Sequence, residues 1–527
     1  MTGTSSGSPA IAPTKVEDMQ DALYLVDITV GGEEFTVQMD TGSTDLWVLP
    51  NPGQHIALVN TTDIVISEGY GSGTATGHIQ FAELEFAGFT VPSQGQMFTS
   101  QNAQYENLCL HHSFLTRRDY FANGLHGIMG LSFESISPLN AGIQKAFLDD
   151  STTMGASPIH NILVHDDSVP SSFDLQIQRT EDLNKTVVGT LIVGSHLEGY
   201  EDITNQPKLP RVYDGRWSIP LDSMTVNGGI FEFSQSRVEG VDSGKIAVLL
   251  DSGFTLPPMP PPAVDFIYSS IPGAVRDVGL DNGQWVVPCK GTTNLTFTFA
   301  GIEYPVHYLD LAVASTTVLT INGRETDVTY CYNTYQYLEL DPDSFEGFDA
   351  ILGDAFLRNV YASFNYGEID VSESGSYIQL MSTTDLNVAL PDFLASRANT
   401  LSSLPAELAP SDFLKWYRGS SSSSMSNSIS DSSDDVAGAT DGSSTPSSSP
   451  TSTDDKLYSL AKQYGPVVIG LLAGNMLIGV LLCIIGLFTC MRRAVNHGAG
   501  SRSLPSTYAP VRFKEAEAAE SGYRYQD

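Results

Sequence analysis

The sequence predicts a mostly β protein built from two similar halves, followed by a stalk and one membrane-crossing helix. Three observations predict it. Short apolar strands with turn residues between them fill the first three quarters of the chain. One motif occurs twice: an acid closing an apolar strand, a hydroxyl residue and a glycine, as Asp40-Thr41-Gly42 after Phe35 and Val37 and as Asp251-Ser252-Gly253 after Val248-Leu249-Leu250. Near the C-terminus, residues 466–490 run without a charge, long enough to cross a bilayer.

The repeat extends beyond the acid. Each copy is followed by an apolar pair and a glycine, Ile128-Met129-Gly130 in the first half and Ile351-Leu352-Gly353 in the second. The interval from acid to closing glycine is 90 residues in one half and 102 in the other. Two related halves that each offer one carboxylate suggest a two-fold site with the acids face to face. Carboxylates about 3 Å apart cannot both ionise and share one proton. Such a pair can take a proton from water and give one to a leaving group within a single cycle.

These motifs resemble the pepsin-like aspartic proteases over roughly Asp21 to Thr383, and the tethered form is similar to fungal secreted and surface acid proteases. The resemblance implies a two-lobed fold with pseudo-two-fold symmetry and an acid endopeptidase acting on extended polypeptides. It implies Asp40 and Asp251 as the catalytic pair, with Thr41, Gly42, Ser43, Ser252, Gly253, Phe254 and Thr255 in the two loops and with Thr41 and Ser252 bracing them across the axis. In that family the residue after the loop glycine carries a hydroxyl. Ser43 keeps it and Phe254 does not. This departure is the support for a rival reading, a catalytically inactive surface-binding or adhesion module on the same fold.

In chain order, residues 1–20 are small, polar and rich in Pro and Gly, and are expected to be disordered. They contain no signal-peptide core, although the resembled family is usually made with a signal and a pro-segment. The first lobe is expected over 21–198. Ala22 to Val30 reads as a strand, turning at Gly31-Gly32 into Phe35–Met39. The stretch from Gly69 to Gly77 has glycines that brush against a dinucleotide fingerprint, but His78 to Phe86 alternates as a strand where that fold needs a helix. By resemblance it is a flap over the substrate carrying Tyr70, Gly71 and Ser72. Trp47 lies behind it, within reach of the tyrosine, and Ile128 lines the pocket for the residue before the cut.

Cys109 sits beside His111 and His112, but no second cluster supplies the three or four ligands a metal needs, so it reads as a loop cysteine and no metal is expected. Asn140 to Asp149 has helical spacing. Ile162–Val164, Phe173–Ile177 and Gly189–Gly194 read as strands. The second lobe is expected over 199–384, opening with Trp217–Leu221 and Met224–Gly228. The proline run from Pro257 to Pro262 is expected to delay a helix to Ala263–Ile271. By resemblance, Cys289 and Cys331 form the second-lobe disulfide, worth about 3–4 kcal/mol by loop closure and at home in an oxidising compartment. Asn60, Asn184 and Asn294 stand in glycosylation sequons.

Residues 385–418 are an extension without an assignment. Residues 419–455 are dominated by Ser, Thr, Pro, Asp and Gly, the composition of an extended stalk. The span at 466–490 is followed by Arg492 and Arg493, which places 491–527 in the cytosol and the lobes outside or in a lumen, at a cell surface or in a vacuole-like compartment. Cys490, at the inner interface, is a candidate for palmitoylation. The 37 residues after it exclude a lipid-anchor signal, which would end in its apolar tail. With 26 Lys and Arg against 61 Asp and Glu, the net charge of −35 argues against nucleic acid. It suits either work in acid or plain solubility. The expectation is a monomer without cofactor, whose partners are polypeptide substrates and a membrane.

Overall fold

The computed structural model describes residues 13–426, apart from 20–22, 52, 71–72, 100–123, 148–153, 166–167, 180–187, 278–283, 339–345 and 369–374. Gly71, Ser72, Cys109, Asn184, the stalk beyond Ser426 and the expected span at 466–490 lie outside the described residues. Among the described residues, no helix is long and apolar enough to cross a membrane.

Strands from both halves join one sheet of thirteen. Tyr377–Ser382 and Val360–Asn365 of the second half pair onward to Ser172–Gln176, Val188–Val193, Thr14–Met19, Leu23–Val30 and Glu33–Asp40 of the first. Thr14–Met19 corrects the expected disorder of residues 1–20. Its backbone pairs on both sides and Val16 is fully buried, so long-range pairing overrides a polar local composition. The same sheet runs on through Gly127–Gly130, Leu46–Val48, Phe89–Thr99 and Gly73–Phe86 to Leu58–Tyr70.

The two acid-bearing strands are built alike. Glu33–Asp40 pairs in parallel with Gly127–Gly130, setting Asp40 opposite Gly130. Ile246–Leu250 pairs in parallel with Ala350–Leu352, setting Leu250 opposite Leu352. Parallel strands covered on both faces carry continuous apolar runs, and all five residues of Ile246–Leu250 are buried. The apolar-apolar-glycine partners in the sequence are thus the strands that flank each acid.

Two helices depart from expectation. Residues 158–165 form a helix, Pro158–His165, where Ile162–Val164 read as a strand. Pro158 can occupy a first helical turn, where its missing N–H has no partner to lose. The Ser157 hydroxyl accepts from the His160 N–H at 3.2 Å, and Ile159, Ile162 and Leu163 turn one face inward. The helix expected from Ala263 starts two residues earlier, as Pro261–Ser269, because the prolines fit its first turn.

The extension is folded onto the second lobe as two helices, Leu386–Ser403 and Pro410–Ser426, the latter running into the first residues expected to be stalk. Between them Thr329 N–H donates to Ala406 O at 3.1 Å, and Leu408 N–H to Thr329 O at 2.9 Å. Arg397, 1% exposed, donates from Nη2 to Ala312 O at 2.9 Å and from Nη1 to Cys289 O at 3.4 Å. It stands over the Cys289–Cys331 disulfide, which the structure contains. Phe413 stacks on Tyr330 with ring centroids 4.1 Å apart.

Candidate active site

The two loops meet at the pseudo-two-fold axis and are tied by reciprocal bonds. The Thr41 hydroxyl donates to Leu250 O at 2.8 Å and accepts from Ser252 N–H at 2.9 Å. The Ser252 hydroxyl donates to Met39 O at 3.0 Å and accepts from Thr41 N–H at 3.2 Å. Both side chains are fully buried, so each hydroxyl is satisfied from the opposite half.

The glycines explain the close approach of the acids. A Cβ on Gly42 would collide with the Asp251 carboxylate, and one on Gly253 with that of Asp40. Each loop glycine therefore lies against the other loop's acid, and each donates its N–H to its own, Gly42 to Asp40 at 2.9 Å and Gly253 to Asp251 at 2.8 Å. Asp40 also accepts a short bond, 2.5 Å, from the Ser43 hydroxyl. Phe254 offers no such donor, and its ring packs against the core. Both acids are 6% exposed. Burial, then the charge of Asp40, hold the Asp251 carboxyl well above the usual carboxylate range.

The hairpin carrying Tyr70 is formed by Leu58–Tyr70 and Gly73–Phe86, with Tyr70 opposite Gly73. Trp47 donates its indole N–H to the Tyr70 hydroxyl at 2.9 Å. Ile128, Trp47 and Tyr70 belong to one apolar cluster beneath the hairpin. Asn294 is exposed and Asn60 half-buried.

Four side chains at the site escaped the sequence reading. Gln38 donates to Gly253 O at 3.3 Å. Arg216 donates to Gly42 O at 3.3 Å. Burial holds the Arg216 guanidinium below its usual range against the pull of Asp251 and Asp40. Glu68 and Asp45 are 5% and 3% exposed. Tyr70 donates to Glu68 Oε2 at 2.6 Å. Asp45 accepts from the Ser137 hydroxyl and from Leu139 N–H, the latter at 2.8 Å. A signal for Glu68 existed: Ile64, Ile66, Glu68 and Tyr70 alternate along one strand face, and Ile66 and Tyr70 pack inward.

Comparison with known proteins agrees with this geometry. The family model described as Eukaryotic aspartyl protease matches residues 23–374. The chain is 26% identical over 384 residues to Pepsin A of Suncus murinus, covering 68% of this chain and 84% of that one. It is 26% identical over 372 residues to Major aspartyl peptidase 1 of Cryptococcus neoformans var. grubii, covering 66% and 67%. Pepsin A of Bos taurus is 25% identical over 377 residues, covering 68% and 85%. With paired Asp-(Thr/Ser)-Gly loops braced across the axis and a family match over most of its length, the chain belongs to the eukaryotic aspartyl proteases and is an aspartic endopeptidase.

Proposed function

We propose that the protein is a membrane-tethered acid endopeptidase in which Asp40 and Asp251 hold one water and one proton. The observation that carries this is the mutual approach of the two loops, in which each glycine is pressed against the opposite acid. An extended peptide lies between the lobes under the Tyr70 hairpin, whose closure excludes water and orders the substrate. Asp40, with Ser43 and Gly42 donating to it, is ionised and removes a proton from the water as its oxygen attacks the peptide carbonyl. Asp251 gives its proton to the carbonyl oxygen, and a neutral diol forms. Asp40 then passes its proton to the amide nitrogen. The C–N bond breaks as one diol hydroxyl returns its proton to Asp251, leaving an acid and an amine. Thr41 and Ser252 keep the loops from drifting apart. Ile128, beneath the hairpin, lines the pocket for the residue before the cut.

The tether is the segment 466–490, with the lobes outside or in a lumen, the tail in the cytosol and the enzyme a monomer. The disulfide supports an oxidising compartment, and Asn60, Asn184 and Asn294 are its glycosylation candidates. Protease treatment of intact cells tests the orientation: a C-terminal tag should survive while the lobes are cut, and loss of the tag would refute it.

Asp40→Asn and Asp251→Asn should each abolish hydrolysis of an unfolded protein at acid pH, because acid and base act as one coupled unit. A statine-type mimic of the tetrahedral state should inhibit the wild type. Appreciable hydrolysis by either variant would overturn the mechanism, and a wild type that binds peptide without cutting it would favour the inactive surface-binding module.

A further inference from the structure

The flap tyrosine is anchored by a second pair of carboxyl groups, distinct from the catalytic one. Trp47 N–H donates to the Tyr70 hydroxyl, and Tyr70 donates in turn to Glu68 Oε2. The Glu68 carboxyl lies within hydrogen-bonding reach of the Asp45 carboxyl. Its remaining oxygen, Oε1, is buried and receives no donor among the described residues. Asp45 has both its oxygens occupied as acceptors, by the Ser137 hydroxyl and Leu139 N–H at the start of the helix Pro138–Phe147. Two buried carboxyls in contact need one proton between them. Glu68 Oε1 is the atom free to carry it and donate it to Asp45.

We infer that Glu68 is a positioning residue, and that the Asp45–Glu68 pair latches the flap by holding one proton and frees it when that proton is lost. With the proton present, an unbroken line of donors runs from Trp47 through Tyr70 and Glu68 to Asp45, tying the hairpin to the helix below. Without it, two negative charges face each other in an apolar setting. The strand must then move Glu68 toward solvent, and Tyr70, two residues along the same face, moves with it.

Among the described residues, the surroundings supply no cation to relieve that repulsion. From the 3-10 turn Glu134–Ile136 comes Glu134, whose charge opposes ionisation of Asp45. From Pro158–His165 comes His160, whose Nδ1 lies 3.3 Å from Glu134 rather than from the pair. From the catalytic loop comes Asp40, which opposes ionisation of Glu68. On the hairpin itself, Asp63 and His78 are exposed, as is Lys145 on Pro138–Phe147. Burial above all, and then Asp45, hold the Glu68 carboxyl well above the usual carboxylate range, and burial pushes Asp45 up to about 6.

This inference rests on the reading of the Tyr70 hairpin as a flap over bound peptide. The test separates KM from kcat across pH for wild type, Glu68→Gln and Glu68→Leu, and follows Trp47 fluorescence against a Trp47→Phe background. Gln can accept from Tyr70 and donate to Asp45 without a titrating proton. In the wild type, KM should climb by up to about tenfold per pH unit above the pair's midpoint, the slope for loss of one proton, alongside a fluorescence transition. Glu68→Gln should flatten both. Glu68→Leu should raise KM at every pH. A wild-type KM rise that persists unchanged in Glu68→Gln overturns the latch. If Glu68→Gln abolishes the fluorescence transition but Glu68→Leu leaves KM untouched, the pair titrates but the flap assignment is wrong, and the latch falls with it.

Discussion

Ser43 and Phe254 occupy equivalent places in the two loops, and only one can donate a hydrogen bond. Exchanging that property in either direction gives paired perturbations of opposite sign. The Ser43 hydroxyl lies 2.5 Å from Asp40 Oδ2, a short charge-assisted bond. A hydrogen bond to a charged group is worth about 1.5–3 kcal/mol. At 1.36 kcal/mol per pH unit, its loss should raise the lower apparent pKa of the pair by about 1–2 units. Ser43→Ala should therefore move the acid limb of kcat/KM upward by that amount, since the ionised form must then be reached at higher pH. Phe254→Thr supplies the missing donor to Asp251, which carries the proton in the working form, and should move the alkaline limb downward by about one unit. The titration belongs to the pair, so both shifts are read on the macroscopic profile rather than assigned to one acid. The assay is initial-rate hydrolysis of a quenched fluorescent peptide between about pH 2 and 7. Thermal unfolding of each variant, measured alongside, detects a loop that has merely been disrupted. A folded Ser43→Ala enzyme with an unmoved acid limb would refute the reasoning, as would an upward shift of the alkaline limb in a folded Phe254→Thr enzyme. The native chain, lacking the second donor, is expected to work in mildly rather than strongly acid surroundings.

Three further outcomes follow from the structure. Burial raises the carboxyls of Glu68 and Asp251 well above their unfolded values and that of Asp45 to about 6, so the stability they contribute is complete below about pH 4 and, for Asp45, lost as pH rises through about 6; calorimetry should show Tm falling between pH 4 and 7, and a flat profile would contradict it. Replacing Cys289 and Cys331 by serine releases a cross-link spanning 42 residues and should cost about 4 kcal/mol in urea unfolding. Arg397→Ala leaves the Ala312 and Cys289 carbonyls short of a buried charged donor and should cost about 3 kcal/mol by the same measurement.

The acid loops were legible because their geometry tolerates so few residues. Gly42 and Gly253 admit no side chain against the opposing carboxylate, and Thr41 and Ser252 must each carry a hydroxyl to satisfy the other strand. Such constraints leave short, repeated motifs. Glu68 was harder to read, because an acid on an exposed hairpin is ordinarily a solvated one, and its carboxyl partner Asp45 is packed against it from another part of the chain. The helix Pro158–His165 was missed because a short apolar run such as Ile162-Leu163-Val164 fits either period, and the cap at Ser157 decided it. Thr14–Met19 was hidden by its polar composition; its order comes from pairing on both sides, with Leu23–Val30 next in the chain and with Val188–Val193 more than 170 residues away.

The folded extension has a bearing on where this enzyme can be cut loose. The family match ends at residue 374, and a boundary drawn there or at 384 would look natural. It would strip Phe413 and Leu414 from Tyr330 and Tyr332, remove Arg397 from the disulfide, and deprive Cys289 N–H of its 2.8 Å acceptor, Glu407. Arg418, bonded to the buried carboxylate of Asp277, marks the last such attachment among the described side chains. A soluble recombinant enzyme should therefore retain the chain through Arg418. Shedding from a membrane by a second protease would release an intact catalyst only if the cut fell beyond that residue, whereas a cut between Leu386 and Arg418 would unseat the second lobe and with it Asp251.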